Sequence, residues 1–364
     1  MYYEQGIESF YRSKVISLSN ELESSIKIYL DTKYWIHLRD YILGRSKVRQ
    51  METIYNLLLE LSTNSLIVCP TSQYIFFELL KQDDISTRDA TAKIIDELSR
   101  GIVTAEEEMR IANEIKHYFD SRMYEEENVF PLRSLIWTKT VYLFGVKDPY
   151  LFELSEEQNL EIQKAFIEEV WTYNYQQVLD FLNKMKLPIP DDKPLVEAFN
   201  FEKNKSPVGN IEFEKLSYFE FKGLLNFYKD KFESLLDYHR KVFKCKSISI
   251  NNTVKISNFN ELIEFLLEQE KNNIINTELP FFKIRAGILA AIRMDPKRKF
   301  KLTDFKDWGH ASVALPYFDY FFTDNSLNHL LSNKPLLYDK KFNCEIHSSF
   351  DSVLNCLKSI RKKV

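Results

Sequence analysis

Residues Ile26 to Asp31 read IKIYLD and residues Phe318 to Asn325 read FDYFFTDN, so each is an apolar run that closes on an acid. Short unbroken runs of β-branched and aromatic residues between polar flanks are the pattern of strands buried on both faces of a parallel sheet. Ligands bind outside the carboxyl ends of such strands, which would put Asp31 and Asp324 at a crevice. One sheet holding both runs has to be closed by segments from opposite ends of a 364-residue chain.

The segments between them predict how that closure happens. Ser65 to Cys69 (SLIVC) reads as a second short strand, and Pro70-Thr71 opens a helix with Thr71 or Ser72 as N-cap. With a helical pair over 33–63, the opening is β-α-α-β-α, the start of a three-layer α/β unit with a small parallel sheet. From about 86 to 280 strand signals nearly vanish, and helical patterns cover 86–100, 104–122, 157–187, 211–243, 258–273 and 277–294. Leu187 to Asn210, with Pro188, Pro190, Pro194 and Pro207, reads as a loop. Strands return at Tyr320–Thr323 and Phe342–Ile346, ahead of a closing helix at 349–362. The predicted organisation is an N-terminal helix (1–25), an α/β core in two parts (26–85 and 295–364) and a mainly α-helical insertion between them (86–294). Two independent domains are the other arrangement.

Composition removes several classes. The chain has 8 glycines, none spaced as in a dinucleotide fingerprint or a P-loop, which argues against a glycine-built nucleotide cradle. Cys69, Cys245, Cys344 and Cys356 are scattered, with no CxxC, and read as reduced core thiols in a cytoplasmic protein. No apolar stretch is long enough to cross a bilayer, and the amino terminus lacks a signal-peptide core, so no membrane partner is expected. Net charge is −4, but Lys283 to Lys301 holds Lys283, Arg285, Arg293, Lys297, Arg298, Lys299 and Lys301 against one acid, Asp295. That run reads either as a solvated helix end or as a rim for phosphates.

Several residues are candidates for chemistry. Asp31 is either a ligand-facing acid or the N-cap of the helix that follows it. Glu78, set among Ile75, Phe76, Phe77 and Leu79, is a rim residue or a partly buried carboxylate in need of a cation. Asp304 and Asp307 fall three apart near the start of a helix that Pro316 ends. His310 follows Asp307 by three residues and reads as a structural histidine or as a donor to an acid or phosphate; His37 reads as structural. Arg110 and His117 form an R-x6-H pattern similar to that of the HEPN ribonucleases, but with 14 Arg and 6 His such a match is expected by chance, and both read as surface helix residues.

The order strand-Asp, helix-Glu, helix-start Asp and strand-Thr-Asp resembles the PIN-domain nucleases, over about 85 residues at the front and 65 at the back. The resemblance implies a metal-dependent nuclease with a PIN-like core. Asp31, Glu78, Asp307 and Asp324 would be its catalytic and metal-holding acids and Thr323 the adjacent hydroxyl, with Asp304 and Asp319 as competitors for the third and fourth places. Arg285, Arg298, Lys299 and His310 would contact substrate. Hard carboxylate ligands favour Mg²⁺ or Mn²⁺ over zinc. RNA is the expected substrate ahead of DNA, and a bacterial toxin or antiviral effector is the role suggested by analogy. The competing expectation is a catalytically degenerate PIN-like module that binds a protein partner, or a second copy of itself, through the helical insertion.

Overall fold

The computed structural model describes residues 6–362 except 83, 125–128, 146–147, 186–192, 206–207, 210, 245–246, 251–253 and 273–276. Cys245, Pro188, Pro190 and Pro207 lie outside the described residues. Its strands are β1 (Ile26–Leu30), β2 (Ile67–Val68), β3 (Ile102–Thr104), β4 (Trp137–Lys139), β5 (Ile248–Ile250), β6 (Val254–Ile256), β7 (Tyr320–Phe322) and β8 (Glu345–His347). The fold is mixed α/β, mostly helical, around a four-stranded parallel sheet in the order β2-β1-β7-β8.

The two acid-ended runs are neighbours. In β1, Ile28, Tyr29 and Leu30 pair with Tyr320, Phe321 and Phe322 of β7, while Ile26 and Lys27 pair with Ile67 and Val68 of β2. From β1 the chain moves outward to β2, and from β7 it moves outward the other way to β8. The strand order therefore reverses between β1 and β7, which is where a parallel sheet opens a crevice at its carboxyl edge. Ile28, Tyr29, Leu30, Phe321 and Phe322 are all buried, which accounts for the unbroken apolar runs.

The helical stretch holds more strand than the sequence suggests. Antiparallel pairs β3–β4 and β5–β6 lie within it, and a parallel bridge between Thr71 and Val103 ties β3 to the segment after β2. Helix Ile85–Ser99 and β3 lie past residue 85 yet share one apolar cluster with β1, β2 and β7. A second cluster gathers Ile111, Phe119, Phe221, Phe232 and Leu262. Helix Pro280–Met294 serves both, with Phe281, Phe282 and Ala286 in the second cluster and Ile284, Ile288 and Ile292 in the first.

Three helical expectations change. The stretch 157–187 is two helices, Glu156–Val170 and Tyr175–Met185, and 211–243 divides at Tyr228 into Phe213–Phe227 and Lys229–Phe243. Lys193–Lys205 is a helix and not part of a loop, because Pro194 stands in its first turn, where a missing N–H costs nothing.

A buried ionic seam joins helix Glu107–Met123 to helix Leu302–Tyr317. Arg110 has no exposed surface, so it is not the surface residue its pattern suggested. Pro316 sits inside its helix and cannot donate to the carbonyl of Ser312; Arg110 donates there instead, Nη1 to O at 3.3 Å. Beside it, Glu114 accepts from Tyr317 Oη at 2.5 Å and from the backbone N–H of Phe281 at 2.9 Å.

Candidate metal centre

Asp31 occupies the N-cap position of helix Thr32–Ile42, but its side chain makes no capping bond. The carboxylate instead faces the point where the sheet reverses, and its Oδ2 accepts from the Thr323 hydroxyl at 2.8 Å. Thr323 follows β7 directly and is fully buried. Asp31 thus stands at the N-cap position with its side chain turned to Thr323 instead of to the helix N–H groups.

Glu78 approaches from helix Gln73–Leu80, which begins just after β2. Thr32 donates to its carboxylate, and Lys306 Nζ lies 2.5 Å from Oε1. Burial alone would raise the Glu78 carboxyl; the bond and charge of His310, then bonds from Lys306 and Thr32, overcome this and bring it down to about 2.

His310 stands between the two acids. It is 2% exposed, with Nε2 at 3.3 Å from Glu78 Oε2 and 3.8 Å from Asp31 Oδ1. Nδ1 lies 2.8 Å from the hydroxyl of Tyr29, which itself lies 2.7 Å from Ser72 Oγ. Ser72 holds the N-cap position of the Glu78 helix but makes no capping bond, its hydroxyl being engaged by Tyr29. Nε2–H donates to Glu78, and with Nδ1 engaged by Tyr29, loss of the Nε2 proton would leave its lone pair facing the acids. Burial pulls the imidazole pKa down, but the charges of Asp31, Glu78 and Asp307 and the Glu78 bond prevail and raise it. One donor atom each from Asp31, Glu78 and His310 lie within 4.8 Å of one another, a group able to hold a metal ion.

Gly309 lets the His310 helix come this close. A Cβ on it would stand 2.4 Å from the Tyr74 ring, so only glycine fits between the helices that carry His310 and Glu78.

The remaining candidates divide. Asp307 is half-buried, and burial with the neighbouring charges of Asp324, Asp31 and Asp304 pushes its carboxyl up to about 7 against the pull of His310. Among the described residues its side chain makes no hydrogen bond, and it belongs to the site by electrostatic coupling. Asp324 is a helix cap: its Oδ1 accepts from the N–H groups of Ser326 and Leu327, at 2.6 and 2.9 Å. Asp304 is held by Arg298 at 2.6 Å and accepts from the Lys301 N–H at 2.7 Å. Asp319 lies at the opposite, amino-terminal end of β7, bonded to the Lys27 N–H and to Arg133 at 2.7 and 2.8 Å. Asp304 and Asp319 thus have structural partners that account for their charge, and neither joins the centre.

Of the expected substrate contacts, Arg285 pairs with Glu107 inside the helical region, Arg298 pairs with Asp304, and Lys299 is exposed. Residues the sequence did not single out, Tyr29, Thr32 and Lys306, complete the centre. A buried strand tyrosine needs a polar partner for its hydroxyl, and that need was the available signal for Tyr29.

Two cavities flank the centre. One, of about 360 Å³, has a mixed lining in which Lys297, Arg298 and Lys301 are matched by Asp295, Asp304 and Asp307. The other, of about 470 Å³, has mainly apolar walls and includes Glu78 and Lys306. Lys306 and Asp307 are consecutive yet open onto different cavities, and of the centre's three residues Glu78 lines the larger one.

No family model, curated protein or solved structure matches this chain. No helix among the described residues is long and apolar enough to cross a membrane.

Proposed function

We propose that this protein is a metal-dependent nuclease with a PIN-like core, acting on RNA. The observation that carries the reading is the convergence of Asp31, Glu78 and His310 where the parallel sheet reverses direction, with Asp307 beside them. RNA rather than DNA follows from the resemblance to PIN nucleases.

The donor set fits a divalent cation. Asp31 and Glu78 offer hard oxygens and His310 a nitrogen, a mixed set that suits Mn²⁺ better than Mg²⁺. A bound cation would supply Lewis acidity to a phosphodiester and relieve the charge that builds on its oxygens. The protein's own residues do the rest. Tyr29 orients His310, and Thr323 and Thr32 fix the carboxylates of Asp31 and Glu78. Asp307, raised to about 7 by burial and its acidic neighbours, titrates near neutral pH, and a nearby cation would favour its ionised form. Lys306, if displaced from Glu78 by a cation, would supply an ammonium for a phosphate oxygen, and Lys297 and Lys301 line the smaller cavity nearby.

A second reading has its own support: Lys306 and a protonated His310 already balance Glu78 and Asp31 without a cation. In that case the chain is a binding module. Calorimetric titration with Mn²⁺ and Mg²⁺, beside cleavage of an RNA and single-stranded DNA panel by wild type and Asp31→Asn with and without EDTA, separates the two. Metal binding and cutting that both vanish in Asp31→Asn support the nuclease; absence of both in wild type supports the module.

A further inference from the structure

We infer that the apolar cavity of about 470 Å³ beside the centre receives one nucleobase of the substrate. The ligand class rests on the nuclease reading; the location rests on the cavity itself.

Its volume falls within the range of about 300–1,000 Å³ usual for small-ligand sites. Its walls are aromatic, with Phe77, Phe199, Phe227, Tyr228 and Phe305 around an open interior. Flat apolar surfaces of this kind match the faces of a base, and stacking is how single-stranded nucleic acid is most often held. Phe227 is 79% exposed although it belongs to this wall, a cost that a stacked ligand would remove.

Gln73 and Lys81 also line the cavity and bring donors to its rim, which suits a planar ligand with acceptors on its edge, as every nucleobase has. Lys306 and Glu78 form part of the same wall, so a base in the cavity has its own phosphate next to the centre formed by Glu78, His310 and Asp31.

Gly223 provides the test. It lines the cavity from helix Phe213–Phe227, and a Cβ there would meet nothing within 4 Å, so a large side chain enters open space without disturbing the helix. The experiment is calorimetric titration of the full chain, in EDTA, with AMP, GMP, CMP, UMP and ribose 5-phosphate. Wild type should bind at least one nucleotide at least about 10-fold more tightly than the base-free sugar phosphate. Gly223→Phe should lose that advantage, and Phe227→Ala, at an exposed position, should weaken it about 10-fold.

Equal binding of ribose 5-phosphate, unchanged nucleotide binding in both variants, or no nucleotide binding by wild type would each overturn the inference. So would uptake of an apolar dye, blocked by Gly223→Phe, in a protein that ignores nucleotides. Because the titration contains no metal, its outcome is independent of catalysis. Nucleotide binding lost in Gly223→Phe, in a protein that neither binds Mn²⁺ nor cuts RNA, would keep the cavity assignment and remove only the catalytic reading.

Discussion

The Thr323 hydroxyl donates to Asp31 Oδ2 at 2.8 Å across 292 residues of sequence, joining the carboxyl ends of the two central strands. A buried bond to a carboxylate contributes about 1.5–3 kcal/mol. Thr323→Val keeps the shape and deletes the donor, so it should destabilise by that order, while Thr323→Ser should recover most of the loss. Urea denaturation of the three proteins measures it; a valine variant as stable as wild type would mean the pair contributes nothing.

Tyr29 bridges His310 Nδ1 and Ser72 Oγ from inside β1. Removing its hydroxyl in Tyr29→Phe frees the imidazole to turn. Loss of such an orienting partner lowers metal affinity about 10- to 100-fold, so the Mn²⁺ isotherm should weaken by that factor while the far-ultraviolet circular dichroism stays that of wild type.

Proton competition sets the pH dependence of that affinity. Asp307 is held up to about 7 and the His310 pKa is raised, so protons on both would compete with a bound cation. Mn²⁺ affinity should rise steadily between about pH 6 and pH 8. A flat profile would count against their shared part in the centre.

Gly309 packs against the Tyr74 ring with no room for a methyl group. Gly309→Ala should therefore cost about 1–3 kcal/mol of stability despite alanine's better helix propensity, and it should also weaken metal binding by pushing His310 away from Glu78. A raised Tm would show that the two helices separate freely.

Burial pushes the Glu114 carboxyl up to about 7, against bonds from Tyr317 and the Phe281 backbone and the charges of Arg110 and Arg285. A carboxyl whose folded pKa lies above its unfolded value of 4.5 binds its proton more tightly in the folded state. Its stabilising contribution is complete below about pH 4.5 and is lost as pH climbs to 7, a change on the order of 3 kcal/mol. Asp307 acts in the same direction, so the informative quantity is the difference between wild type and Glu114→Gln. In urea titrations, that difference should favour wild type at about pH 5 relative to about pH 8.

The strands that build the sheet were legible because a strand buried on both faces must be apolar throughout, as IKIYL and YFF are. Asp31 and Glu78 were legible for a related reason, since a carboxylate next to buried positions needs a partner. The strands β3 to β6 were not: as short as β7 but without its sustained apolar and aromatic run, they show neither alternation nor a continuous buried stretch. His310 was undervalued because histidine has no spacing rule that separates ligand from structural use; its neighbours come from β1 and from helix Gln73–Leu80, far away in sequence. Asp304 and Asp307 looked equivalent on helical spacing, and what separates them is Arg298, which sits next to one and not the other.

Because β1 lies between β2 and β7, synthesis of the chain imposes an order on its chemistry. Glu78 leaves the ribosome 232 residues before His310, a delay of roughly 10 to 50 s at ordinary elongation rates. Throughout that interval one side of β1 has no neighbour, exposing an apolar edge that invites pairing with other chains, and the acids lack the imidazole that joins them. A nascent chain of this protein therefore carries an unpaired strand edge until the late strand docks, and the group of Asp31, Glu78 and His310 is complete only late in synthesis.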